Sequence, residues 1–227
     1  MGLEDIVHNE ATNKGWLARK LNSPKRGLIG KILDFSVGIA ATAVAYSLIG
    51  TPALVGSGIG VVGDYFGNLW RGAKTSSAQI RDSLFLSSIV SPIGYGIISF
   101  LDSAINIRAP LGLVKRTLTQ IIFQQGMLAP AVNHLDYMLR HKTLDIKEAY
   151  ERQFKKFFFK NIGWSVLAGL APVGLAYQGY GVNTQFYGGL LAGVAVRGLA
   201  WGKQIAATDP YGTHRNQGYG RMATSYS

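Results

Sequence analysis

"ALVGSGIGVVGDYFGNLW", residues 53–70, decides how this chain is read. The stretch is long enough for a membrane span, rich in glycine, and carries one carboxylate, Asp64. Gly56, Gly60, Gly63 and Gly67 step by four, three and four residues, so on a helix they form one stripe. Lipid gives no hydrophobic reward for pairing helices, and small residues that let backbones approach become a main source of packing. The same glycines pass a loose search for a phosphate-binding loop. That reading fails because they lie inside an apolar helix pattern, not between a buried strand and a helix. Asp64 borders the stripe and is expected to face a neighbouring helix.

Working outward, six stretches of roughly 18 to 23 residues can cross a bilayer core of about 30 Å. They are residues 32–50, 53–70, 82–101, 113–135, 161–178 and 184–202. The chain is only 15% charged yet has a net charge of +11. With six crossings, the N-terminus, loop 71–81, loop 136–160 and the C-terminus share one face, which then holds 19 of the 23 Lys/Arg. Such asymmetry is what the positive-inside rule describes. The expected fold class is therefore all-α, a polytopic membrane helical bundle of six segments. The short connections within the first and last pairs also allow four longer, bent ones.

Three regions follow: a basic N-terminal arm (1–31), a transmembrane domain (32–205) and a polar, glycine-rich C-terminal tail (206–227). The arm mixes its Lys/Arg with Glu4, Asp5 and Glu10 and has no apolar run, unlike a secretory signal or a transit peptide. Residues 143–160, "TLDIKEAYERQFKKFFFK", place Ile146, Ala149, Tyr150, Phe154, Phe157 and Phe158 at helical spacing. A basic amphipathic helix between spans suits the membrane interface.

Residues 50–202 resemble the Mpv-seventeen/PMP family of small mitochondrial inner-membrane and peroxisomal proteins. "TPALVGSGIGVVGD" is similar to the family's opening helix, with Gly63 and Asp64 at its Gly-Asp pair and Asn68 where the family has Gln. Pro92 in "SPIGYG" matches a Gly-Pro helix, although the His-x-Trp-Tyr that follows it in the family is missing. In "KRTLTQIIFQQGMLAP", Lys115, Arg116, Gln125 and Pro130 fill the places of a basic pair, a glutamine and a proline. Asn161 and Trp164 match the Asn-Trp that begins the last segment, while the family's closing signature is absent. Residues 56–95 also resemble, less extensively, a bacterial alanine-exporter family. These resemblances imply a small membrane channel or transporter, and the first implies the mitochondrial inner membrane.

No catalytic set emerges from the residues themselves. The four histidines show no H-E-x-x-H or H-x-x-E-H spacing, and the chain has no cysteine, P-loop or G-x-S-x-G. An enzyme, a metal site and a cofactor are not expected, nor is a nucleic-acid partner, since no recognition motif accompanies the basic residues.

Segment 184–202 repeats the glycine pattern with Gly189 and Gly193, and places Arg197 four residues later. Asp64 and Arg197 then lie at similar depth on facing helices. An unpaired charge there costs about 2.5–3.5 kcal/mol, so the two are expected to pair. The alternatives are separate snorkelling or a protonated Asp64. Asp64, Asn68, Gln120, Gln124 and Gln125 form a second polar set, suited to interhelical hydrogen bonds or to lining a pore.

Two functions follow. The first is a non-catalytic accessory subunit of a larger mitochondrial inner-membrane complex, of respiratory-chain or ATP-synthase type. Its arm and tail would meet other subunits, and its basic face would meet anionic lipid such as cardiolipin. The second is a small channel or transporter.

Overall fold

A computed structural model describes residues 27–70, 74–151 and 155–200, and every regular element among them is helical. Most of the expected arm and the whole tail lie outside the described residues, as do the side chains of Asn161, Trp164 and Arg197. The helices are α1 (Leu28–Ile49), α2 (Thr51–Trp70), α3 (Ser77–Ala104), α4 (Gly112–Phe123), α5 (Ala129–His141), the short α6 (Ile146–Ala149), α7 (Lys155–Tyr177) and α8 (Val182–Ala200). A π-helical turn, Gln124–Leu128, joins α4 to α5 in one long helix.

Glycines and caps set the boundaries. Gly50, at φ +67°, is the single residue between α1 and α2. It reverses the chain completely: Thr42 on α1 reaches Ser57 on α2 at 3.4 Å. The first pair is thus a helical hairpin, not one long bent helix. Ser76 caps α3 by accepting the Gln79 amide at 3.2 Å, one of the donors a helix start leaves unpaired. Gly179, at φ +87°, ends α7, and the Tyr180 amide turns back to the Leu175 carbonyl at 3.0 Å, a Schellman closure. The π turn has a local cause. Pro130 has no N–H for the carbonyl of Gly126, and its ring crowds that carbonyl. Widening the turn relieves the clash, and the Ala129 amide bonds Gln124 five residues back.

Pro92 and Pro172 lie within α3 and α7. Of the expected connector helix over 143–160, residues 143–151 and 155–160 are described. Asp145 caps α6 by accepting the Glu148 amide, and the residues from Lys155 onward belong to the continuous helix α7.

Six helices, counting Gly112–His141 as one, have 19 to 30 residues. At 1.5 Å per residue they run about 29 to 45 Å. Two of them, α1 and α3, are long and apolar enough to cross a membrane, each with mean hydropathy 1.8. The central element is α3, which packs against α1, α2, α4, α5 and α8, while α7 pairs with α8 and with α4.

Polarity is inverted relative to a water-soluble core. Among the described residues sixteen polar or charged side chains are buried against twelve apolar ones, six of them alanine. The large apolar side chains point outward, with Leu28 75% and Ile29 77% exposed at the start of α1. Close packing inside relies on small residues. A methyl group at Gly56 would overlap Ser91, one at Gly60 would overlap Ser87, and one at Gly63 would come within 2.8 Å of Val194 on α8. Gly67 is buried on the same stripe. In α8, Gly189 lies against Pro172, whereas a side chain at Gly193 would meet no described atom within 4 Å.

Replacing Gly60 with leucine is expected to lower stability by about 1–3 kcal/mol, the usual cost of overpacking. Gly58→Leu, in open space on the same helix, should change it far less. Thermal unfolding of both variants in mild detergent measures the difference.

Candidate functional site: two buried polar clusters and a glutamine-lined cavity

The buried polar groups gather at opposite ends of α3. At the end where residues 74–76 and Lys142 lie, charges from four helices interlock. Asp34 on α1 is 2% exposed and accepts from Ser77 Oγ at 2.9 Å and Arg81 Nη1 at 2.7 Å. Arg81 Nε donates to Asp82 at 2.8 Å, and Lys142 Nζ reaches the other Asp82 oxygen at 2.7 Å. Burial pulls Lys142 below the ordinary lysine pKa of 10.5, against the opposing pull of the Asp82 carboxylate.

Asp64, 5% exposed, takes the Ser83 hydroxyl and Arg140 Nη2, the latter at 3.3 Å. Arg140 Nε in turn donates to Asp136 at 2.7 Å. Beside them Asn68 donates to Gln79 at 2.7 Å and Thr75 at 3.2 Å. Asp64 therefore faces a neighbouring helix, as its place beside the glycine stripe suggests. The cation described beside it is Arg140. The expected partner Arg197 lies on α8 with its side chain outside the described residues.

The opposite end holds a smaller cluster. Arg116 is 1% exposed, although its sequence neighbour Lys115 is exposed. Arg116 Nη2 donates to Gln185 Oε1 at 3.1 Å and to the Ile98 carbonyl at 3.4 Å. Gln185 passes the contact on, donating to Asp102 and to the Tyr180 carbonyl, each at 2.8 Å. Arg116 Nε and Nη1 have no hydrogen-bond partner among the described residues.

Between the clusters lies a half-open cavity of about 90 Å³ lined by α3, α4 with its π turn, α7 and α8. Gln120 and Gln124 line it with Gly94, Ile98, Pro172, Phe186 and Gly189. Each glutamine has a buried Oε1 with no partner among the described residues. Gln124 is also pressed against Gly169, where a methyl group would overlap its amide.

The five residues of the expected polar set separate. Gln120 and Gln124 line the cavity, whereas Gln125 donates to Ser165 at 2.9 Å. Asp64 and Asn68 belong to the charged cluster. Of the family-like positions, Pro92 lies within α3, Pro130 follows the π turn, and Arg116 anchors the small cluster.

Several residues of these clusters were not singled out from the sequence. Asp34, Asp82 and Gln185 were visible as polar residues inside apolar segments. Asp136 and Arg140 were visible as an i,i+4 pair, but they follow segment 113–135 and read as loop. Helix Gly112–His141 runs six residues further, which brings both inside the bundle.

Removing one partner of a buried ion pair costs about 3–5 kcal/mol, because the other charge is left unpaired. Asp64→Ala and Arg140→Met should each destabilise the bundle by about that amount, and the double variant by less than the sum. Arg197→Met, combined in the same way, determines whether Asp64 also draws on α8. Unfolding midpoints in detergent give both coupling energies.

No known family model, curated protein or solved structure matches the chain.

Proposed function

We propose that the chain is a non-catalytic, polytopic membrane protein that provides a narrow route for a small solute, as a channel or transporter. Its six long helices would cross the bilayer with the lysine- and arginine-rich loops on one side. The inverted polarity supports that placement, since lipid accepts the outward leucines and isoleucines that water would not. One observation carries the function: the glutamine-lined cavity. Gln124 is twelve residues from the start of the helix Gly112–His141, about 18 Å along it, near the middle of a span. Transporter sites are commonly found at mid-depth between interrupted helices. Here the π turn interrupts the helix Gly112–His141, and Pro172 deprives α7 of one backbone donor. The resemblance to the Mpv-seventeen/PMP and alanine-exporter families points the same way.

The charged cluster favours a second reading. Cross-linking of α1, α2, α3 and α5 by buried ion pairs gives a rigid scaffold suited to an accessory subunit of a larger assembly, of the mitochondrial inner-membrane kind. Anionic lipid such as cardiolipin would then line its basic face.

Purification in gentle detergent followed by reconstitution separates the two. A small particle that raises solute permeability of liposomes supports the route. Constant recovery within a large complex, with no permeability of its own, supports the subunit. The topology has its own test, helped by the absence of cysteine. Single cysteines at Lys74 and Thr143 are expected to react with an impermeant maleimide from one side of sealed vesicles, and one at Arg108 only from the other.

A further inference from the structure

We infer that the cavity between α3, α4, α7 and α8 is a binding site for a small, uncharged solute bearing hydrogen-bond donors, and that Arg116 is the barrier that keeps cations out of it. This rests on the reading of the chain as a solute route and names the class of solute.

Three observations converge on it. The first is chemical. The residues lining the cavity include no charged side chain; its polar groups are the amides of Gln120 and Gln124. Both Oε1 atoms are buried with no partner among the described residues, that of Gln124 against Gly169, and an unmet buried acceptor is costly. A donor-bearing guest satisfies them once the amides turn toward the cavity they line. An amide offers an acceptor and donors on one group, so the match is to a neutral molecule with an –NH₂ or –OH, whichever way each amide is turned. An ion would give up part of its hydration shell here for two amides and an apolar wall, a cost that adds to the charge barrier of Arg116.

The second observation is size. At about 90 Å³ the cavity is smaller than the ~150 Å³ cavity that admits benzene. It suits several waters or a compact solute of the urea or small-polyol class.

The third is the position of Arg116. It lies one helical turn before Gln120 on α4, about 6 Å along the axis. It is tied to the carbonyl of Ile98, which itself lines the cavity. Two of its nitrogens, Nε and Nη1, carry N–H groups that no described residue accepts. A guanidinium fixed beside a polar cavity repels cations while its unmet donors receive neutral acceptors. Gln185 links Arg116 to Asp102, whose carboxylate offsets part of that charge from a distance.

The test uses the full chain in liposomes, with stopped-flow light scattering for urea and glycerol and a potassium-sensitive dye for cations. The unaltered protein should speed urea or glycerol entry at least tenfold over empty liposomes and leave potassium flux unchanged. Gln120→Leu with Gln124→Leu should abolish the neutral flux, and Arg116→Gln should admit potassium. A second pair guards against misfolding of those variants. Gly94→Val grows into the cavity toward Phe186 and should block flux, whereas Gly96→Val, in open space, should not. Potassium flux without neutral flux in the unaltered protein overturns the solute class but leaves a route in place. Absence of any flux overturns the route itself. Neutral flux that survives both the glutamine and the Gly94 changes places the path elsewhere and overturns the site.

Discussion

The structure depends on charges buried within a bundle whose outer surface is apolar. Asp34, Asp64, Asp82 and Asp136 are buried and cannot remain alone among packed helices. Asp136 takes Arg140 on its own helix, whereas the other three find a cation or hydroxyl on another element, and those contacts define which helices meet. Asp34 brings α1 to Arg81 on α3, Asp64 brings α2 to Ser83 and Arg140, and Asp82 holds Lys142 beyond α5. Apolar contact has no such selectivity, because it is non-directional. Ion pairs therefore supply register here, and small residues supply proximity.

Proximity has its own requirement. A helix can approach within hydrogen-bonding range of another only where side chains are nearly absent. The glycines of α2 face the serines of α3 along the same line that ends in the Asp64–Ser83 contact. Gly56 lies opposite Ser91 and Gly60 opposite Ser87, one ladder rung per turn. A bulky residue at any rung would lever α2 outward and lengthen the contact between Asp64 and its partners. The stripe and the carboxylate are two parts of one interface, which is why they occur together in residues 53–70.

That interface was legible in the sequence because glycine spacing and an isolated aspartate are both local signals. The all-helical architecture was legible for the same reason. The partner of Asp64 was not. Choosing among cations needs depth and rotation of every helix, and helix Gly112–His141 runs further than its apolar stretch, so Arg140 read as loop. The glutamines of 120–125 were recognised as a group, yet Gln120 and Gln124 share one face at i,i+4, while Gln125 stands about 100° round the helix and meets Ser165. Gly50 shows the opposite case, where one residue between two apolar stretches left bent and reversed helices equally open until its positive φ resolved them.

The different polar side chains explain why the cavity opens where it does. Serine and threonine can return their hydroxyls to a carbonyl one turn back, as Ser88 does to Leu84 and Thr42 to Gly38. They need nothing from a neighbouring helix and permit tight packing. Aspartates and arginines satisfy one another across the bundle. Glutamine is in neither position: its amide extends too far to fold back and carries no charge to attract a counter-ion. Gln185 and Gln79 solve this by bridging other polar groups. Gln120 and Gln124 have no such neighbour for their oxygens, and they lie where the π turn, Pro172 and Gly189 interrupt regular packing. Space and unmet hydrogen-bonding capacity thus arise at the same place from independent causes. A purely structural interior would need neither glutamine, since leucine would fill that volume without an unsatisfied group.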